Sequence, residues 1–411
     1  MNIIEQTKQT LRESIVAACE KAMANGQLPQ LELPDFVIET PKNEGNGDFS
    51  TNLAMQLTRL AKSNPRAIAS AIVEGIDCPA LIERIDIAGP GFINFYLVEN
   101  WLHAILPAIQ EEDTDYGKSN AGQGERVQIE FVSANPTGLL HMGNARGGAL
   151  GDVLAAVMNE AGYVCDKEYY INDAGNQVEN LAKSVEARYF ELLGSSDYAI
   201  PEDGYQGEDI IATAKRLLEE KGEIYVDMDR TQRLEEMKQF ALKEKVAGIA
   251  QGLEHFGVEY DRWFSEQSLH DAGDVKEVVD ILDQKGYVYE KDGARWLRMT
   301  DWGEEKDEVL IRSNGTPTYF AADIAYHRNK FERGYKKLIN IWGADHHGHV
   351  ARLKGAMTAL GYPGDDITVI LMQLVRLYRG GELVKMSKRK GQFVTLEELI
   401  EEVGKEAARF F

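Results

Sequence analysis

The alternation of apolar and polar positions divides the chain into segments of two kinds. Residues 1 to about 25 carry Ile3, Ile4, Leu11, Ile15, Val16 and Cys19 at helical spacing and predict an amphipathic helix. The stretch 34–57 predicts a strand, a polar glycine-rich loop and a second helix capped by Ser50 or Thr51. A further helix follows Pro65, and ERIDIAGPGFINFYL reads as two short strands around a Gly-Pro-Gly turn. From Val127 the rhythm changes. Val127, Ile129 and Phe131 alternate as a strand, 145–161 is rich in small residues and helical, and 165–171 is a second strand, together a right-handed parallel βαβ unit. NDAGNQVENLAKSVEARYFELLG adds a turn and a long helix, and 195–262 is charge-rich and largely helical.

The second half resumes with a hairpin-like YVYEKDGARWLRMTDWG. EVLIRSNGTPTYFAADIAYHRNKF then predicts a strand, an Asn-Gly turn and a helix entered at Pro317, on which Tyr319 and Asp323 share a face. LINIWGADHHGH predicts a buried strand that breaks into a polar loop at its carboxyl end, the edge where open parallel sheets bind ligands. A helix over 350–360 and a strand over 367–375 follow, and Thr395 with Glu398 forms a capping-box pattern for a last pair of helices.

Composition narrows the possibilities. A chain of 411 residues exceeds one ordinary core. The net charge of -22 argues against a general nucleic-acid binder, because affinity for phosphate backbones comes from Lys and Arg. Any RNA contact must be local, and 376–392 supplies a basic candidate with Arg376, Arg379, Lys385, Lys388, Arg389 and Lys390 against Glu382 alone. Three cysteines without CxxC spacing speak against a disulfide framework or a zinc site and fit a reducing cytoplasm, so no structural metal is expected. No secretory signal and no membrane-length apolar run is present, and a cytoplasmic protein without membrane contact is expected.

The candidate chemistry centres on EFVSANPTGLLHMGNARGGALGD, 130–152. A strand, a glycine-bearing loop and a helix N-terminus form a natural phosphate site, since the first turn offers unpaired N–H groups at the positive end of the helix dipole. Gly143 lets a flat ring or a phosphate approach the backbone, with His141 and Asn144 on either side. A second element, Lys385-Met386-Ser387-Lys388 within GGELVKMSKRKGQ, lies near the other end of the chain. The two elements in this order resemble the paired signatures of class I aminoacyl-tRNA synthetases. The wording EFVSANPTG, YYINDAGNQ and WGADHHGH resembles the arginyl-tRNA synthetases in particular. One departure is Asn144, which stands where the first signature usually has its second His.

The resemblance, which covers essentially the whole chain, implies the fold and the function. The fold class is α/β: a Rossmann-type parallel-sheet catalytic domain with a helical insertion, preceded by a small α+β N-terminal domain that contacts tRNA. The boundaries expected are 1–118, 119–394 with the insertion at about 180–290, and 395–411 as the start of a helical C-terminal region that is otherwise missing. The implied reaction is that of an arginine–tRNA ligase. ATP with Mg²⁺ activates L-arginine to arginyl-adenylate, and the arginyl group passes to the 3′ end of tRNA-Arg. A monomer is expected. No editing domain is needed, because a site that hydrogen-bonds a guanidinium strands its own polar groups when an analogue lacks one. The alternatives are another class I synthetase or nucleotidyltransferase, or a silent tRNA-binding fragment.

The same resemblance distributes the site residues. His141, Asn144, Lys385 and Lys388 serve catalysis by holding the phosphates. Gly143, Gly343, Asp345, His346, Met386 and Ser387 take ATP. Glu130, Asn135, Tyr319 and Asp323 take arginine, with Asp323 at the guanidinium and Glu130 and Asn135 at the α-amino end. His347 and His349 are read as loop histidines.

Overall fold

The computed structural model describes residues 3–78, 80–375, 378–379, 382–383 and 394–410. Two compact units divide the chain, 1–119 and 120–411. In the first, the helix Ile3–Ala24 packs on the helix Pro65–Gly75, and the strand Phe92–Leu97 pairs antiparallel with Phe49–Thr51 on one side and Ile82–Ala88 on the other. Leu11, Ile15 and Cys19 meet Ile68, Ile72 and Phe95 in one core. The strand expected at the start of 34–57 is reduced to a single antiparallel bridge from Glu39 to Ser50. Phe36 and Ile38 are buried, but the Phe36 carbonyl is taken by the Arg12 guanidinium rather than by a neighbouring strand. Ser50 and Thr51 are strand residues, and the following helix starts from Asn52 instead.

The second unit is built on a five-stranded parallel sheet in the spatial order Ile367–Met372, Lys337–Gly343, Arg126–Glu130, Val164–Ile171, Arg262–Ser265. The first strand in sequence is central, so crossovers leave it on both sides. A crevice therefore opens beyond its carboxyl end, at Glu130. Three helices, Asn176–Leu192, Glu208–Lys221 and Arg230–His255, form an excursion with its own core around Val185, Tyr189, Leu217 and Met237. The sheet resumes at Arg262–Ser265, inside the stretch read as insertion, because a four-residue edge strand leaves little periodicity to detect. Val288–Lys291, Ala294–Leu297 and Glu308–Ile311 make a separate antiparallel sheet. The α/β class with a small α+β unit before it is the one expected from the sequence. Among the described residues no helix is long and apolar enough to cross a membrane.

The helix Met142–Glu160 is rich in small residues because it lies close against the sheet. A Cβ on Gly151 would stand 2.2 Å from Cγ of Phe131, a fully buried ring stacked on Tyr260 with centroids 4.6 Å apart. Helix propensity alone favours Gly151→Ala by about 1 kcal/mol. The packed ring reverses the sign, and the variant is expected to lose about 1–3 kcal/mol in urea unfolding. A midpoint at or above that of the parent would show that the ring yields.

Candidate active site

The crevice at the carboxyl edge of the sheet is a cavity of about 1030 Å³, and the strand ends at Glu130 and Gly343 both reach it. Its two ends differ in chemistry. At one end the helix Met142–Glu160 begins. His141 Nδ1 accepts the Gly143 N–H, and Asn144 Oδ1 accepts the His141 N–H, a reciprocal cap. With Nδ1 accepting, the neutral ring of His141 carries its proton on Nε2. Asn144 spends its oxygen on the backbone, so the chemistry it can offer a ligand is its N–H groups.

On the opposite strand Gly343 leaves room for Asp345: a Cβ there would stand 2.4 Å from Asp345 Oδ1. Asp345 and His346 line the cavity, in a short 3-10 turn (Ala344–His346) that runs straight into the helix His347–Leu360. The polar loop expected here is thus a helix start.

Lys385, Met386, Ser387 and Lys388 lie outside the described residues. Both flanks of their segment reach this end. Gln373, Leu374 and Val375 line the cavity. On the far side Met142 N–H donates to the Val394 carbonyl at 3.0 Å and Leu396 N–H to the Leu140 carbonyl at 2.9 Å. The chain thus leaves for 376–393 and returns from it beside His141.

The other end is acidic. Tyr319 and Asp323 stand one turn apart on the helix Tyr319–Glu332, capped by Thr318 rather than entered at Pro317. Asp323 Oδ2 is 2.6 Å from His349 Nε2, and Oδ1 is 3.1 Å from His327 Nδ1. Burial pushes the Asp323 carboxyl up, but His327 and His349 outweigh it and hold it well below the usual carboxylate range. His349 is drawn down by burial and raised more by Asp323, for a net rise. Glu266, the first residue of the helix Glu266–Ala272, is also in the lining and only 3% exposed. Its burial pushes the carboxyl up to about 7, against the hydrogen bond from Tyr170, with Asp173 and Asp323 adding to the rise.

Between the ends sit Glu130 and Asn135. Both Glu130 oxygens already have donors, Lys330 Nζ at 2.6 Å and Ser133 Oγ at 3.0 Å, and Asn135 Nδ2 donates to Gln177 at 2.7 Å. Val132 and Ser133 leave the strand with φ of 66° and 40°, a conformation costly for a β-branched residue. Ser133 Oγ, bonded to Glu130 and accepting the Tyr170 N–H, holds that bend.

All ten expected site residues outside 385–388 therefore line one cavity. Sequence reasoning missed Glu266 and set His349 aside, while His347 is not in the lining. A signal for His349 existed. It lies in the first turn of the helix that follows a strand end, but only the fold brings it to Asp323. Among the described residues no group of three His, Cys, Asp or Glu side chains could hold a metal ion.

A family model described as tRNA synthetases class I (R), catalytic domain, matches residues 105–410, and one described as arginyl tRNA synthetase N terminal domain matches 9–97. The chain belongs to the arginyl-tRNA synthetases. An arginine–tRNA ligase from Moorella thermoacetica is 58% identical over the whole of this synthetase chain, which spans 73% of that relative. A solved protein from Campylobacter jejuni, 36% identical, superposes with a TM-score of 0.69 over 76% of this chain and 68% of its own. The arginyl-tRNA synthetase of Thermus thermophilus, 21% identical, shares the fold with a TM-score of 0.62 over 98% of this chain and 73% of its own. The family places the chain among the arginine–tRNA ligases, and another class I specificity is not favoured.

Proposed function

We infer that the cavity activates L-arginine with ATP and hands the arginyl group to the 3′ end of tRNA-Arg. The observation that carries this reading is the polarity of the crevice. A capped helix N-terminus with nitrogen donors at one end suits phosphates, and paired carboxylates at the other suit a guanidinium. In this reading Asp323 and Glu266 face the guanidinium, with the Tyr319 hydroxyl at its rim. Asn135 and Glu130 serve the α-amino end, Glu130 with the lone pairs left by Lys330 and Ser133.

The adenosine and phosphates take the opposite end, with Gly143, Gly343, Asp345 and His346 around the nucleotide and His141 and Asn144 at the phosphates. Lys385 and Lys388 are assigned to the phosphates, and Met386 and Ser387 to ATP. The arginine carboxylate attacks the α-phosphate, and pyrophosphate leaves. The protein supplies positioning and charge rather than a covalent intermediate. His141 and Asn144 offer nitrogen donors to the phosphates; Mg²⁺ would come with the nucleotide and would offset phosphate charge there. The synthetase acts in the cytoplasm as a monomer. Arginine-dependent exchange of pyrophosphate into ATP, measured with and without tRNA-Arg, tests the whole reading, and exchange supported equally by other amino acids would refute it.

Glu266 makes the pocket sensitive to pH. The empty site holds its proton up to about 7, whereas a guanidinium pairs with the ionised form. Arginine binding therefore releases a proton below that pH. The dissociation constant should fall about tenfold between roughly pH 6 and pH 8 and then level off. Glu266→Gln should flatten the profile, and calorimetry in buffers of different ionisation heat reads the released proton directly. A parent profile that is already flat excludes Glu266 from the pocket.

A further inference from the structure

A chain of buried polar groups connects the middle of the cavity to its acidic end. Lys330, fully buried, donates to Glu130 Oε2 at 2.6 Å and to Asn340 Oδ1 at 3.0 Å. Asn340, fully buried in the strand Lys337–Gly343, turns its Nδ2 to His327 Nε2 at 2.8 Å. His327, also fully buried, presents Nδ1 to Asp323, at 3.1 Å from Oδ1 and 2.8 Å from the Asp323 carbonyl. His349 closes on Oδ2 from the opposite side.

The ammonium sets the direction of every bond. Lys330 has donors only, so the oxygen of Asn340 must face it. The amide nitrogen then faces His327, and its N–H can be received only by an unprotonated Nε2. The single ring proton of His327 is thereby on Nδ1, pointed at Asp323. A neutral imidazole orients that carboxylate without placing a second cation where a guanidinium is to arrive. An imidazolium in its place would compete for the same charge.

We propose that Lys330, Asn340 and His327 are positioning residues for arginine, a proton-ordered relay that fixes the His327 tautomer and so orients Asp323 for the guanidinium. The relay rests on the reading of Asp323 as the guanidinium partner and extends it to three residues that line no part of the cavity. It also ties the two ends of the substrate together, because the lysine that anchors Glu130 dictates which atom of Asn340 faces His327.

Lys330 variants are a poor test, since they leave Glu130 buried without its counter-charge. Asn340→Asp is better. The carboxylate still accepts from Lys330, keeps the volume, and faces His327 with an acceptor instead of a donor. Three measurements on this chain decide the matter: two-bond proton–nitrogen spectra of His327, arginine affinity by calorimetry, and ATP affinity as control. The parent should show the His327 proton on Nδ1 alone, and Asn340→Asp should show both nitrogens protonated. Arginine binding should weaken about tenfold or more in Asn340→Asp and in Asn340→Leu, with ATP binding changed less than about twofold. A role in folding alone would leave the arginine affinity of a folded Asn340→Asp protein at the parent value, and that result overturns the relay. So does a parent spectrum with the proton on Nε2. If the parent binds no arginine, or Asp323→Asn binds it unchanged, the reading of the pocket fails first and the relay falls with it.

Discussion

Asp323→Asn should weaken arginine binding by about 2–5 kcal/mol, the range for removing one partner of a buried, hydrogen-bonded charge pair. The substitution keeps the volume and removes the charge. It also confronts two histidine donors, His349 at 2.6 Å and His327 at 3.1 Å, with an amide that has one acceptor oxygen instead of two. The guanidinium would enter a site short of one negative charge, and the histidines would have to reorient. Titration calorimetry with arginine measures the loss. ATP affinity, read in the same experiment, should stay near that of the parent, because the adenosine end shares none of these groups. An arginine affinity equal to that of the parent would remove Asp323 from the pocket.

Lys388→Ala should slow adenylate formation by about a hundredfold to a thousandfold, the usual cost of deleting one preorganised donor to a developing anion. Charge accumulates on the α-phosphate and the departing pyrophosphate as the arginine carboxylate attacks. A lysine brought over those oxygens acts mainly in the transition state. Arginine binding without ATP should therefore be unaffected. Rapid-quench measurement of the first turnover separates the two effects, and equal first-turnover rates would end the assignment. Lys388 itself lies outside the described residues. The described flanks of its segment reach the site, with Val375 in the cavity lining and Val394 bonded to Met142 beside His141.

The expectation for Lys388 comes from the resemblance of the 385–388 element and the His141 turn to paired class I signatures, and Lys388 lies outside the described residues. Asp323 was half legible. Its spacing from Tyr319 put both on one helix face, but nothing in the sequence near it announced His349, or distinguished His327 from an ordinary helix histidine. Glu266 was not legible. It opens a short helix after a four-residue strand, which leaves little periodicity to mark it. Lys330 is fully buried against a carboxylate 200 positions away, a contact that no local pattern marks.

By itself the sequence determined most of the order of elements, the parallel βαβ core, the helical excursion and the family. Each depends on neighbours a few residues apart, where periodicity and turn chemistry act directly on the backbone. Tertiary structure alone decided which carboxylates share a cavity and which buried polar groups meet His327. Those properties arise from contacts between strands and helices distant in sequence. Burial there removes water as a partner and obliges each polar group to find its complement in the fold.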